Sequence, residues 1–267
     1  MLGAALALEL AHQPAPPATQ ALTLISRHDQ GEEVQAPTAI LHFALPHASI
    51  WQRLTGDRFG RFVAVDLVGI VAEGSPPPRL YSLASARLDG FLEIVVKKHA
   101  GGLCSGQLNA LMPGETAAAF LRPNPGFHAG RGRGPLILIG AGAGIAPLTG
   151  LVRGNRGRRP IHLFFGMRHP GGDFFYAKDL ADWQAGGRIT RLITAASRTT
   201  TPRYVQDAVR RDGPEVARLI ASGARVMVCG GRDMAAGAAD AMAEILATAG
   251  LTPPALKAEG RYVEDIF

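Results

Sequence analysis

One stretch, LILIGAGAGIAPLTGLV at residues 136–152, constrains the fold more than any other, because it passes from strand to glycine turn to helix without a break. Residues 136–139 have the continuous branched apolar character of a strand buried on both faces. Gly140, Gly142 and Gly144 then let the backbone turn tightly and approach a ligand with no Cβ in the way. The helix starting near Ile145 directs its free N–H groups at that turn. Pro147 falls in the first helical turn, where its missing N–H costs nothing. The spacing is G-x-G-x-G-x-x-P, distinct from the G-x-G-x-x-G dinucleotide fingerprint. Two readings follow: a phosphate cradle, or a glycine-rich strand-to-helix turn of any α/β domain.

Around this stretch the chain has two rhythms. Residues 21–27, 38–45, 62–71, 79–84 and 91–98 are rich in β-branched and aromatic residues and separated by Gly, Pro and Asp turns, which predicts short strands of a small antiparallel barrel. Residues 105–111 read as one short helix and 115–121 as a last strand. Beyond residue 131, strands at 136–139, 161–165, 188–194 and 226–229 alternate with helices at 145–153, 176–184, 204–211 and 233–248, the pattern of a doubly wound parallel sheet. The expected organisation is a tail or linker at 1–20, an all-β antiparallel barrel at 21–130 and an α/β doubly wound domain at 131–267. The boundary falls in the basic, glycine-rich segment FHAGRGRG at 127–134. In such sheets ligands sit beyond the carboxyl ends of the strands, where Gly140, Gly166, Ser197 and Cys229 lie.

At 267 residues the chain is long for one core and fits two. Lys and Arg number 28 against 22 Asp and Glu, giving a formal charge of +6 that suits a phosphorylated ligand or an acidic partner. The two cysteines, Cys104 and Cys229, fall in different expected domains, which argues against a disulfide framework and for a reducing compartment, the cytoplasm. His99, His128, His162 and His169 show no metal-ligand spacing. Residues 1–10 are apolar apart from Glu9, too short to span a bilayer and without the leading cation of a secretion signal. Residues 12–19, HQPAPPAT, read as an extended linker, compatible with a membrane or redox domain preceding it in a longer product. The basic run RGNRGRR at 153–159 lacks the interleaved aromatics of a nucleic-acid site and reads as a solvated helix-to-strand loop.

Two constellations lie in the barrel half. RLYS at 79–82 follows the prolines 76–78, and strand alternation sends Arg79 and Tyr81 to one face and Ser82 to the other. Such an arginine either clamps a pyrophosphate or is an exposed edge-strand cation. Gly101, Gly102, Leu103, Cys104 and Ser105 offer a second glycine turn at a helix start, a cap or a phosphate site.

In their order along the chain these motifs resemble the ferredoxin–NADP reductase superfamily and, within it, the FAD/NADPH portion of the diflavin reductases, of the sulfite reductase flavoprotein type. RLYSLAS at 79–85 is similar to the family's flavin signature and GLCS at 102–105 to its flavin-pyrophosphate turn. IGAGAGIAP, FFGMRHPGGDFFY, SR followed by YVQ, VCGGRDMA and GRYVEDIF resemble the nicotinamide half. The likeness runs from about residue 21 to 267.

The resemblance implies that Arg79 holds the FAD pyrophosphate, Tyr81 packs on the isoalloxazine with Leu80 beside it, and Ser82 reaches the reactive nitrogen. It implies that Val96 and Lys97 line the ribityl chain and that Gly102, Leu103, Cys104 and Ser105 grip the diphosphate. Gly140, Gly142, Ala143 and Gly144 would cradle NADPH, while Ser197, Arg198, Arg203, Tyr204 and Gln206 would take its adenosine and 2′-phosphate. Arg168, following the second strand of that half where an NAD site would carry an acid, counts with these coenzyme-binding residues. Ser82, Cys229 and Asp265 are implied to surround the nicotinamide as the catalytic groups, and Phe267 to cover the flavin until nicotinamide displaces it.

Three departures stand out. Ala143 occupies the place of a threonine, Gly237 the approximate place of an acid near the adenosine, and the SR-to-YVQ spacing is one residue short. The FMN domain of diflavin reductases has no counterpart in this sequence. The implied function is an FAD-dependent reductase that takes hydride from NADPH and passes electrons to a small redox protein: a flavodoxin, a ferredoxin, an FMN domain or another haemoprotein or flavoprotein. The alternatives are an NAD(P)H-dependent flavin or ferric-chelate reductase and a non-catalytic flavin- or nucleotide-sensing module.

Overall fold

A computed structural model describes residues 18–46, 59–74, 77–130 and 132–267. The amino-terminal apolar run, most of the proline linker and Pro76 lie outside the described residues. Strands β1 (Gln20–Gln30), β2 (Thr38–Ala44), β3 (Leu67–Val71), β4 (Arg79–Ser82), β5 (Phe91–Lys97) and β6 (Thr116–Arg122) build one six-stranded sheet in the order β4-β3-β6-β1-β2-β5. Every pairing in it is antiparallel. The two edges curl towards each other, and just past β4 the Ala84 N–H donates to the Glu93 carbonyl of β5 at 2.8 Å. The barrel is filled by Leu22, Leu24, Leu41, Phe43, Ile94 and Val96, with Cys104 and Leu108 of helix α1 (Leu103–Ala110) added from one end.

The strand expected at 62–71 begins only at Leu67. Val65 has a left-handed backbone (φ 74°), which no continuous strand allows, and Asp66 folds its carboxylate back to accept from Val63 N at 2.9 Å and Asn124 N at 3.2 Å.

Strands β7 (Leu136–Ala141), β8 (Ile161–Met167), β9 (Arg191–Ala196), β10 (Arg225–Gly230) and β11 (Tyr262–Ile266) form a second, five-stranded sheet in the order β11-β10-β7-β8-β9, parallel throughout. Side-chain alternation along β7 splits its core in two. Leu136 and Leu138 face α2 (Ile145–Gly154) and α3 (Ala177–Ala185). Ile137 and Ile139 face α4 (Val205–Arg211), α5 (Gly213–Ala221) and α6 (Arg232–Ala247). Helix α5, the short α7 (Pro253–Ala258) and β11 were not anticipated from the sequence. Strand order reverses at β7, whose neighbours are β8 on one side and β10 on the other, so the ligand crevice of a doubly wound sheet falls between β7 and β10. Among the described residues no helix is long and apolar enough to cross a membrane.

The two sheets share a continuous apolar seam. Ile40, Val65, Ala84 and Val95 from the barrel pack in one cluster with Ile145, Leu148 and Val152 of α2. The start of the connecting segment is pinned: Phe127 is buried in that cluster, and the Ala129 carbonyl accepts from Arg159 Nη1 at 2.6 Å. Across the seam Thr149 Oγ1 donates to the Ala84 carbonyl at 3.3 Å, and Gly31 N donates to the Gly172 carbonyl at 3.0 Å.

Backbones approach closely across the seam at Gly150. A Cβ there would stand 2.9 Å from the Leu83 carbonyl oxygen, a backbone atom that cannot swing aside. Gly150→Ala should therefore lower unfolding stability by about 1–3 kcal/mol. Gly157→Ala, with nothing within 4 Å of the added methyl, should stay within about 0.5 kcal/mol of the parent. Denaturant midpoints of both variants check this, and equal midpoints would mean that the domains do not meet at Gly150.

Candidate active site

A cleft of about 780 Å³ opens between the barrel and the carboxyl ends of the parallel strands. Arg79, Leu80, Tyr81 and Ser82 of β4 line one wall, with Lys97 and the α1 turn of Gly102, Leu103, Cys104 and Ser105 beside them. Ala143, Cys229, Asp265 and Phe267 line the other. Most of the residues singled out in the sequence are thus brought to one place from positions nearly two hundred residues apart.

The three groups implied as catalytic meet across the seam. Ser82 Oγ donates to Asp265 Oδ2 at 2.7 Å, and parallel pairing of β10 with β11 sets Asp265 directly opposite Cys229. Burial, and then the Asp265 charge, push the Cys229 thiol well above its usual pKa. It stays a neutral thiol at ordinary pH, suited to lining an apolar face and unsuited to nucleophilic attack. Phe267 is 67% exposed at the rim, with its backbone N–H on the Gly230 carbonyl at 3.3 Å.

On the barrel wall the Arg79 guanidinium is exposed and makes no hydrogen bond or ion pair among the described residues. Tyr81 is its partly buried neighbour, and the phenol donates to Cys104 Sγ at 3.6 Å. Burial chiefly, then that hydrogen bond, raise the Tyr81 pKa, so the ring stays neutral. Ser105 Oγ is already committed, accepting from His99 N at 3.3 Å and donating to the Gly102 carbonyl at 3.2 Å. It therefore locks the turn, and its backbone is what remains for an anion. Beside it Gly101 is left-handed (φ 71°) with open space where a side chain would stand.

Val96 corrects the expectation that it lines the cleft together with Lys97. Adjacent strand residues face opposite ways, and Val96 is fully buried in the barrel core. Val95 takes its place in the lining, as do His99, Ala146 and Pro147. Counting back by two from Lys97 would have found Val95.

On the nucleotide side the glycines divide by task. Gly140 and Gly144 permit packing: a Cβ on the first would lie 2.7 Å from Leu148 Cδ1, and one on the second would overlap the Cys229 carbonyl. Gly142, left-handed (φ 54°) with nothing within 4 Å, faces open space at the start of α2. Beyond β9, Ser197, Arg198, Arg203 and Tyr204 gather at the surface. The Arg203 N–H donates to the Ala196 carbonyl at 2.9 Å, Ser197 Oγ to the Met167 carbonyl at 3.3 Å, and Tyr204 is 57% exposed at the start of α4. The Arg198 and Arg203 side chains are exposed and have no partner among the described residues. Gln206 packs over Gly237, where a Cβ would stand 2.9 Å from Gln206 Nε2.

Arg168 is placed differently from its expected coenzyme role. Its Nη1 donates to the Val34 carbonyl of the barrel at 2.9 Å, and Asp173 accepts from the Arg168 and His169 N–H groups at 2.9 and 2.8 Å. The side chain ties the domains together. The basic run at 153–159 is likewise not simply solvated, since Arg153 and Arg159 both make contacts inside the fold.

Comparison with known proteins agrees with this geometry. Residues 26–120 match the oxidoreductase FAD-binding domain, and residues 138–240 match the oxidoreductase NAD-binding domain. The sulfite reductase [NADPH] flavoprotein alpha-component of Salmonella typhi is 31% identical over 217 residues, covering 71% of this chain and 36% of the relative. NADPH-dependent diflavin oxidoreductase 1 of Eremothecium gossypii is 33% identical over 167 residues, 57% of this chain and 27% of its own. NADPH oxidoreductase A of Dictyostelium discoideum is 28% identical over 196 residues, with shares of 62% and 31%. The chain thus spans about a third of the length of these curated relatives. With an FAD-binding and an NAD-binding oxidoreductase domain in succession, it belongs to the ferredoxin reductase-like flavoproteins and is homologous to the FAD/NADPH part of the diflavin reductases.

Proposed function

We propose that the chain takes hydride from NADPH onto FAD and delivers electrons to a separate small redox protein, such as a flavodoxin, a ferredoxin or an FMN-bearing domain. The observation that carries this reading is the Ser82–Asp265 hydrogen bond, which joins a barrel residue to a nucleotide-domain residue inside the shared cleft. A module that only sensed flavin or nucleotide would not need a serine, a carboxylate and a neutral thiol aligned there.

The residues present fit both coenzymes. Arg79 and the open turn at Gly101 and Gly102 would hold the FAD pyrophosphate, Tyr81 would pack against the flavin ring, and Lys97 would lie along the chain between them. Gly142 and the first turn of α2 would receive the NADPH pyrophosphate. A guanidinium free of other partners suits a 2′-phosphate, and Arg198 and Arg203 are both free among the described residues, with Ser197 as a hydroxyl neighbour and Tyr204 exposed for stacking on adenine. The residues following β8, Met167 and Arg168, supply no carboxylate for a free ribose 2′-hydroxyl. FAD, when bound, supplies the chemistry of accepting a hydride and releasing electrons one at a time. The chain's own work is to orient: Ser82 and Asp265 fix the hydrogen-bonding edge of the cleft, Cys229 packs beside it, and Phe267 shields it from water. The positive charge favours an acidic acceptor, and two unpaired thiols suit a cytoplasmic location.

The experiment that tests the reading is an anaerobic titration of the FAD-loaded protein with NADPH, followed by candidate flavodoxins, ferredoxins and ferric chelates. Bleaching by NADPH and re-oxidation by a protein acceptor support it. Reduction of free flavin or chelates alone would favour the flavin-reductase alternative, and binding without bleaching the sensing module.

Coenzyme choice has its own check. Arg198→Ala should narrow the preference for NADPH over NADH, by weakening NADPH by about 1.5–3 kcal/mol, the range for a hydrogen bond to a charged group, while NADH is unaffected. Steady-state kinetics with both coenzymes read this out, and equal losses would assign Arg198 to the fold. At the cleft centre, Asp265→Asn keeps an acceptor for Ser82 but removes the charge. Flavin reduction should slow by on the order of 10²-fold with FAD content unchanged. Stopped-flow absorbance decides, and an unaltered rate would remove Asp265 from the chemistry.

A further inference from the structure

Glu93 of β5 has no exposed surface, yet its carboxylate is one of the points where the domains grip each other. Arg153, in the last turn of α2, places Nη2 3.2 Å from Oε1 and 3.1 Å from Oε2. The Tyr176 hydroxyl donates to Oε1 at 2.7 Å, and His42 Nε2 pairs with Oε2. The Arg153 guanidinium is boxed by the rings of Phe91, Tyr176 and Trp183, at 5.3, 5.9 and 5.4 Å from their centroids. Tyr176 holds a left-handed backbone (φ 59°), rare for a bulky residue, in the conformation that carries its hydroxyl to Glu93.

Both elements joined at this point continue into the cleft. Along β5, Val95 and Lys97 lie on the same face as Glu93 and line the flavin wall, while Ala146 and Pro147, at the opposite end of α2 from Arg153, line the nucleotide wall. Arg153 Nη2, reaching both Glu93 oxygens between the middle of β5 and the end of α2, therefore fixes how far one wall stands from the other. Apolar residues of similar volume would hold two domains together as strongly as a buried ion pair, but with less geometric definition.

We propose that Glu93, Arg153 and Tyr176 are positioning residues for hydride transfer, setting the approach of the α2 end of the nucleotide domain to the flavin wall without touching either coenzyme. This rests on the NADPH-to-FAD reading above. Hydride transfer is suited to such control because a misplacement of about 1 Å can cost on the order of 10²-fold in rate while binding is little changed.

The test uses the full FAD-loaded chain with Glu93→Gln, Arg153→Lys and Tyr176→Phe, the last deleting one hydroxyl and nothing else. Four quantities are measured: FAD content, NADPH Kd, hydrogen exchange of residues 91–97 and 145–154, and stopped-flow flavin reduction with NADPH protiated or deuterated at the transferred position. The expected result is FAD content and Kd within about twofold of the parent and flavin reduction slower by about tenfold or more. The isotope effect should become more temperature-dependent, and exchange should quicken in both segments together. Wild-type reduction rates in variants that have merely lost thermal stability would overturn the proposal, as would a rate that falls only in step with FAD content. If Glu93→Gln does not fold, Tyr176→Phe alone decides by the same criteria. Failure of the parent itself to be reduced by NADPH would instead sink the functional reading, and the exchange data would still show whether the pair couples β5 to α2.

Discussion

Glu93 is fully buried between barrel and parallel sheet, so its charge must be balanced by protein groups that come from both sides. Arg153, Tyr176 and His42 do this, the first two from the nucleotide domain and the third from the neighbouring strand β2. Removing a single partner from such a buried pair typically costs about 3–5 kcal/mol, because the remaining charge is left uncompensated. That cost makes the relative placement of the domains close to all-or-none. Burial and the nearby carboxylate also push the Tyr176 phenol well above its ordinary pKa, so it remains a hydrogen donor across the working pH range. Apolar contacts add the bulk of the adhesion along the seam, but contacts between Leu148, Val152 and Val95 would tolerate sliding that the carboxylate does not.

A fixed seam matters because no single domain contains the site. Ser82 belongs to the barrel's edge strand, and Cys229 and Asp265 to neighbouring parallel strands. Their alignment exists only while the sheets are docked. Strand β4, an edge with one ladder partner, would otherwise be a weak support for a functional side chain. It is firm here because the following residues, Leu83 and Ala84, are clasped by Asp66, Glu93 and Thr149. The sequence signature RLYSLAS thus combines two tasks: its first half faces the cleft and its second half fastens the domain that carries it.

The sequence carried the architecture well wherever one physical signal dominated. Glycine after an apolar run marked the β7 turn, and alternation of strand and helix marked the parallel sheet. It carried less where tertiary partners decide. The break before β3 depends on Asp66 reaching Asn124, a contact with a residue far along the chain. Helix α7 spans six residues and is held by a Thr252 cap, too short to show a helical period. Arg153 looks like one cation in a basic loop, and only the fold reveals three aromatic rings and a buried carboxylate around it. The place of Arg168 after β8 points to the coenzyme side, while Val34, brought near by docking of the domains, claims its guanidinium. The two-residue period alone separates Val96, in the barrel core, from Lys97 in the cleft lining.

The two glycine turns show how far composition can carry a site and where coordinates have to take over. Each reads from the sequence either as a ligand cradle or as ordinary fold punctuation, and each contains one closely packed glycine and one that faces open space. Gly102 and Gly144 are glycine because neighbouring atoms leave no room, Ser105 Oγ at 2.6 Å in the first case and the Cys229 carbonyl in the second. Gly101 and Gly142 are left-handed, and neither has an atom within 4 Å of where its Cβ would be. Packing explains the first pair completely and the second not at all. A left-handed backbone beside open space at a helix start instead leaves N–H groups accessible, the arrangement that an anion requires and that a closed turn would waste. Gly144 brings its helix close to β10, Gly102 lets the Ser105 hydroxyl close over its own turn, and the open glycines keep the approach clear. A Cβ would therefore act by different routes: at Gly144 it would push the helix away, at Gly102 it would displace the Ser105 hydroxyl, and at Gly101 or Gly142 it would strain the turn.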